Sequence, residues 1–174
     1  SVSAECAMER AAEDVRQVEV IVANLKRRFS GVTSTVLALW PVQSKRVRIA
    51  ALGPNLPRDW PRISWGGLFR HGWRLPPGRP FRIWHARRNI EMVTGWVLRS
   101  MLRMPLKLVF TSAAQRLRGS WSRFLLTRMD AVIAASPEAA SYLAVPYVVV
   151  LHGVDTARYR PAQEEILRAM RRIM

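Results

Sequence analysis

Six short apolar runs punctuate this chain: Val18–Ala23, Val47–Leu52, Phe81–Trp84, Leu106–Phe110, Ala131–Ala135 and Tyr147–Leu151. Stretches with helical character separate them. Runs this short, rich in β-branched residues and apolar on both faces, predict strands buried on both sides. Strands that alternate with helices predict an α/β fold: a doubly wound, mostly parallel, Rossmann-like sheet. In such sheets ligands gather beyond the C-terminal strand ends. That directs attention to residues 24–33, 85–91, 111–116 and 152–155.

The remaining segments follow from periodicity and from proline and glycine. Residues 4–16 have the spacing of a short, weakly amphipathic helix, so residues 1–17 are expected to be a helical extension. Val32 to Leu39 is predicted helical, with Pro41 ending it. Residues 53–80 hold six of the eleven prolines, five glycines and three tryptophans. They are expected to form a long loop with one short strand near Ile63–Trp65. Helices are predicted over Ile90–Met104, stopped by Pro105, over Ser120–Arg128, over Pro137–Leu143 and from Pro161 onward. The domain is expected to span 18–161, with 162–174 opening an interdomain region.

Charge narrows the partners. The chain carries 28 Lys and Arg against 12 Asp and Glu, a net +16. Residues 1–20 hold five acids and two arginines, so the remainder is still more basic. Such a surface attracts polyanions: nucleic acid, anionic lipid or phosphorylated small molecules. Cys6 stands alone, which excludes an intrachain disulfide and fits a reducing compartment. No apolar stretch has the roughly 20 residues that span a bilayer, and the acidic N-terminus does not read as a secretory signal. A cytoplasmic protein with affinity for a membrane surface is expected.

The strand-end segments hold the candidate chemistry. Asn24-Leu-Lys-Arg-Arg-Phe-Ser-Gly-Val-Thr-Ser-Thr35 joins the first strand to the first helix. Its Lys26, Arg27, Ser30, Gly31 and Thr33 suit a phosphate or sugar hydroxyl at a helix start. It matches neither a Walker loop nor the GxGxxG fingerprint. His85-Ala-Arg-Arg-Asn-Ile-Glu91 packs His85, Arg87, Arg88, Asn89 and Glu91 into one turn, more than a helix cap requires. Ser112, Gln115 and Arg116 follow the fourth strand in the same way. His71, His85 and His152 lack ligand spacing and a single cysteine builds no zinc site, so no metal is expected. No Gly-x-Ser-x-Gly elbow marks a hydrolase.

Taken in order, Asn24–Thr35, Trp84-His-Ala-Arg-Arg-Asn89, Phe110-Thr-Ser-Ala-Ala-Gln-Arg116 and Met129-Asp-Ala-Val-Ile-Ala-Ala-Ser136 resemble one family. Val150-Leu-His-Gly-Val-Asp155 with Tyr159-Arg-Pro161 extends the match. This series resembles the N-terminal domain of the retaining family-4 glycosyltransferases, nearest to bacterial mannosyltransferases of the lipopolysaccharide core. The resemblance covers residues 18–161 and implies half of a GT-B fold, the acceptor-side domain facing a donor domain across a cleft. It implies no cofactor but a nucleotide sugar, GDP-mannose or another, and a lipid-linked oligosaccharide acceptor. By that likeness His85 and Arg87 lie at the reaction centre, or the run His85 to Asn89 holds an acidic acceptor. Lys26, Arg27, Ser30, Gly31, Thr33, Arg88, Asn89, Glu91, Ser112, Gln115, Arg116, His152 and Asp155 line the cleft.

Two departures stand out. Many relatives carry a second histidine where this chain has Arg87. The family's paired glutamates, with seven residues between them, have no counterpart after Pro161, since Glu164 and Glu165 are adjacent. The chain alone is therefore expected to be inactive, and to end before the donor half. Trp60, Trp65, Trp73, Arg58, Arg62, Arg70, Arg74 and Arg79 are the candidate surface for the anionic inner leaflet of a bacterial plasma membrane. The alternative is an inactive basic protein that binds membrane or nucleic acid.

Overall fold

The computed structural model describes residues 15–26, 31–54, 56–57, 60–113 and 119–151, with 31–35 described along the backbone only. Its core is one sheet of six parallel strands in the order β2-β1-β3-β4-β5-β6. The strands are β1 Val20–Ala23, β2 Ile49–Leu52, β3 Arg82–Ala86, β4 Leu106–Ser112, β5 Ala131–Ala134 and β6 Val148–Val149. Between them lie α1 Gly31–Gln43, α2 Trp65–His71, α3 Asn89–Ser100, α4 Ser120–Thr127 and α5 Pro137–Ala140. All five strand pairings are parallel, as the run-and-helix alternation predicts.

Alternation along the strands divides the core in two. Ile21, Ala23, Ala50, Leu52, Trp84, Ala86, Leu108, Phe110 and Val132 face one way, against Leu68 of α2, Met92 and Leu98 of α3, and Leu125 and Leu126 of α4. Val22, Ile49 and Ala51 face the other, against Val36 and Trp40 of α1. The α3 residues that are buried, Glu91, Met92, Gly95 and Leu98, recur at helical spacing and form its inward stripe.

Several boundaries differ from expectation. Pro41 lies inside α1, which continues to Gln43. A proline there removes one backbone bond from the last turn, and that turn is held by Trp40 stacking on Trp60 at 4.0 Å and 8°. The predicted loop of 53–80 contains α2. Its start is capped by the Ser64 hydroxyl, which accepts the Gly67 N–H at 3.0 Å. The strand expected near Ile63–Trp65 reduces to a single bridge between Ala51 and Arg62. α3 ends at Ser100 rather than Met104, because Arg103 turns into the left-handed region (φ 54°).

At the N-terminal edge of the sheet a buried cation fastens the fold. Arg82 is fully buried. Its Nε donates to Val18 O at 2.8 Å, Nη1 to Gly72 O at 3.1 Å, and Nη2 to Val15 O and Arg74 O at 3.1 Å each. Carbonyl dipoles alone surround it in these contacts, and burial lowers its pKa. Nearby, Asp130 receives Arg99 Nη1, Lys107 Nζ at 3.0 Å and the Leu108 N–H at 2.8 Å, joining α3, β4 and the start of β5.

Candidate functional site

The opposite, C-terminal edge holds the predicted polar run, and Glu91 organises it. Glu91 lies in the first turn of α3 and is fully buried. Its Oε2 accepts the N–H groups of Arg87 (2.8 Å) and Arg88 (3.1 Å). Its Oε1 accepts Arg88 Nη1 at 3.0 Å and the Leu25 N–H at 3.3 Å. Arg88 occupies the N-cap position, where a guanidinium has no lone pair to offer a backbone N–H. The carboxylate three residues on therefore caps the helix from inside, where the positive helix end favours it.

The same network reaches the ends of β1 and β2. The fully buried Asn24 accepts Arg88 Nη1 at 2.7 Å and donates Nδ2 to Pro54 O at 2.8 Å. Gly53 closes β2 with φ 119°, and a Cβ there would stand 2.0 Å from the Asn24 carbonyl oxygen. Only glycine allows this approach. The Arg62 guanidinium then holds Gly53 O at 2.6 Å.

His85 and Arg87 are 8% and 9% exposed. His85 shares a hydrogen bond with the Thr111 hydroxyl (Nε2···Oγ1 2.8 Å) on the neighbouring strand. Burial, with the Arg87 charge beside it, holds its imidazole down at about 3, so it is neutral near pH 7. Burial also lowers the Arg87 guanidinium to about 10, with Glu91 opposing that shift and Arg88 adding to it. Arg87 thus remains a cation at neutral pH.

The structure brings His85, Arg87, Arg88 and Glu91 together, and adds Asn24, Leu25 and Thr111. Lys26 is exposed on the loop leaving β1, and Gly31 is the first residue of α1. Asn89 turns away and donates Nδ2 to Ser122 Oγ at 2.6 Å, linking α3 to α4. Ser112 is buried at the end of β4, one residue past Thr111 and so on the opposite face of its strand. Arg27, Ser30, Gln115, Arg116, His152, Asp155 and the Thr33 side chain lie outside the described residues. Thr111 was signalled by alternation: it shares the face of His85 across the β3–β4 pairing. Asn24 lay within the quoted β1 loop, but nothing local marked it as buried.

Two further features bound the site. Among the described residues no group of three His, Cys, Asp or Glu could hold a metal ion, and no helix is long and apolar enough to cross a membrane. An open cavity of about 370 Å³ lies between α4 and Ala144–Val145, and none of the strand-end candidates lines it. Its lining of Ser120, Arg123, Phe124, Leu126, Thr127, Ala144 and Val145 offers a single charge and no acid–base pair.

Comparison with known proteins falls on the subgroup that the strand-end motifs resemble. The chain is 54% identical over 149 residues to the lipopolysaccharide core biosynthesis mannosyltransferase LpsB of Rhizobium meliloti (strain 1021), a match covering 85% of this chain and 42% of that protein. It is 52% identical over 151 residues to the lipopolysaccharide core biosynthesis mannosyltransferase LpcC of Rhizobium leguminosarum bv. viciae, covering 86% of this chain and 43% of that protein. The chain therefore spans about two fifths of the length of these curated relatives. No family model matches it.

Proposed function

We propose that this chain is the acceptor-side portion of a mannosyltransferase that builds the lipopolysaccharide core. The observation that carries it is the 54% identity, across 85% of the chain, to a protein of that name. The finer reading is transfer of mannose from GDP-mannose to a lipid-linked core oligosaccharide, with retention at the anomeric carbon. It rests on the strand-end motifs and their resemblance to the retaining family-4 enzymes.

The geometry is suited to such work. Glu91 and Asn24 tie the loops after β1, β2 and β3 into one rigid edge, which preorganises whatever those loops present. Arg87 supplies a fixed positive charge beside the neutral His85–Thr111 pair. Catalysis in a nucleotide-sugar cleft is chiefly stabilisation of a departing diphosphate, and fixed donors in a closed, water-poor site serve that best.

We also propose that the protein works on the anionic inner leaflet. α2 presents Trp65 stacked on Phe69 (6.1 Å), followed by exposed Trp73 and Leu75, with Arg70 and Arg74 among them. Two of the expected residues do not join this surface. Trp60 packs on Trp40, and Arg62 is engaged with Gly53 O. Arg79 pairs with Glu19 at 2.8 Å.

The test is a graft. This chain replaces the matching portion of the R. meliloti protein, and mannose transfer from GDP-mannose to isolated core acceptor is measured. Transfer with an α-linked product supports the reading. A folded graft that moves no mannose, beside an active parent, overturns it.

A further inference from the structure

We propose that the Arg87 side chain is an oxyanion-binding group, at which a carboxylate or phosphate borne by a substrate docks. Its Nε and Nη1 are buried and have no hydrogen-bond partner among the described residues. The residue is nine-tenths buried. These N–H groups lose their hydration and gain no hydrogen bond in return until a partner arrives.

The carboxylates among the described residues are accounted for. Glu91, the nearest in sequence, accepts Leu25 N, Arg87 N, Arg88 N and Arg88 Nη1, so both its oxygens are engaged away from the Arg87 guanidinium. Glu19 holds Arg79 and Arg48, and Asp130 holds Arg99 and Lys107, both near the other edge of the sheet. Glu138 lies in the first turn of α5. Beside Arg87, His85 is uncharged and bonded to the Thr111 hydroxyl.

A water or a sugar hydroxyl would satisfy the open N–H groups but add nothing to the partial charge compensation that Glu91, shared with Arg88, supplies. An oxyanion does both, through charge-assisted hydrogen bonds of the kind arginine makes with carboxylate and phosphate. The position fits a ligand as well, because Arg87 follows the C-terminal end of a strand near the middle of a parallel sheet. The inference rests on the proposed function only for the carrier of the anion: an acidic group on the acceptor, or the diphosphate of the donor.

The experiment is a titration of the native chain with inorganic phosphate, glucuronate, glucose and GDP, followed through the NMR signals of the His85 ring. Saturable shifts with phosphate are expected, weakened roughly tenfold or more in Arg87→Met. Glucuronate binding without glucose binding identifies an acidic sugar as the carrier. GDP binding without glucuronate binding identifies the donor. Arg87→Lys keeps the charge but loses the planar array of donors, and a severalfold weakening is expected; it decides the matter if Arg87→Met does not fold. Absence of a saturable shift with phosphate, glucuronate and GDP overturns the inference, as does unchanged affinity in both variants. No turnover is needed. Anion binding with a graft that transfers no mannose sinks the proposed function alone, and an active graft alongside a native chain that binds no anion sinks this inference alone.

Discussion

The Leu25 amide donates to the buried Glu91 carboxylate at 3.3 Å, across 66 residues of sequence. The loop leaving β1 thus hangs on the helix that follows β3. Glu91→Ala would strand the amides of Leu25, Arg87 and Arg88, and deprive the Arg88 guanidinium of its carboxylate partner. A loss of about 3–5 kcal/mol is expected, as when one member of a buried pair is removed. Glu91→Gln keeps the shape but turns an amide toward donors, and about 2 kcal/mol is expected. Urea midpoints at unchanged slope measure both. A Gln variant as stable as the native chain would mean that the charge is dispensable.

Arg82 is the counterpart at the other edge. Arg82→Met would leave the carbonyls of Val15, Val18, Gly72 and Arg74 without their donor. A destabilisation of about 3 kcal/mol or more is expected. Hydrogen exchange should rise first around Val15–Val18 and Gly72–Arg74, the segments Arg82 fastens. Uniform exchange across the whole chain would argue against this local role.

These two residues also mark where sequence reasoning stops. The strands were legible because each is a short, predominantly apolar run, and the parallel pairing followed from the helices between them. The strand-end rule then led to His85, Arg87, Arg88 and Glu91, which do converge. α2 was hidden because seven residues give too few turns for a period to show, and neighbouring prolines and glycines favoured a loop. Arg82 reads locally as an ordinary polar residue, and nothing local marks Glu91, though singled out in its polar run, as fully buried. Their enclosure depends on segments 60 or more residues away, which no local pattern carries. The inward turn of Trp60 was missed for the same reason: its partner Trp40 lies on α1.

Gly95 faces Trp84. A Cβ there would lie 2.5 Å from Trp84 Cδ1, 2.7 Å from Nε1 and 3.0 Å from Leu108 Cδ2. Trp84 is fully buried and its Nε1 donates to Glu91 O at 2.8 Å, so the ring cannot retreat. Alanine improves helix propensity by up to about 1 kcal/mol, but overpacking costs about 1–3 kcal/mol. Gly95→Ala is expected to destabilise, and to change Trp84 fluorescence. An equally or more stable variant would show that α3 can shift outward freely.

His85 should make stability depend on pH. Its folded pKa is depressed to about 3, from an ordinary 6.5 in the unfolded chain. Between those values the unfolded chain binds a proton that the folded chain refuses. Stability is therefore full above about pH 6.5 and falls as pH drops toward 3, by up to about 1.4 kcal/mol per unit for one proton. Glu19 and Asp130, whose carboxyls lie below their usual values, add their own loss only further into acid. His85→Gln should reduce the slope between pH 6.5 and 4.5 in denaturation curves, leaving the share of the buried His71, whose imidazole burial also holds below its ordinary value. An unchanged slope would place the titrating group elsewhere.

The α2 surface gives the last prediction, and it separates membrane from nucleic acid. Trp65 and Phe69 are exposed, stacked and flanked by Arg70 and Arg74; in the proposed membrane role the rings would insert below headgroups while the guanidinium groups stay at phosphate level. The doubly substituted Trp65→Ser, Phe69→Ser chain retains the charge of +16. It should bind phosphatidylglycerol vesicles roughly tenfold less tightly, since the loss is apolar burial. Its binding to duplex DNA should be unchanged, because phosphate contacts there depend on charge and fall steeply with salt. Cosedimentation with vesicles and DNA titration, each across a salt series, measure the two. Equal affinities and equal salt slopes for vesicles and DNA, untouched by the substitutions, would instead describe a nonspecific polyanion binder.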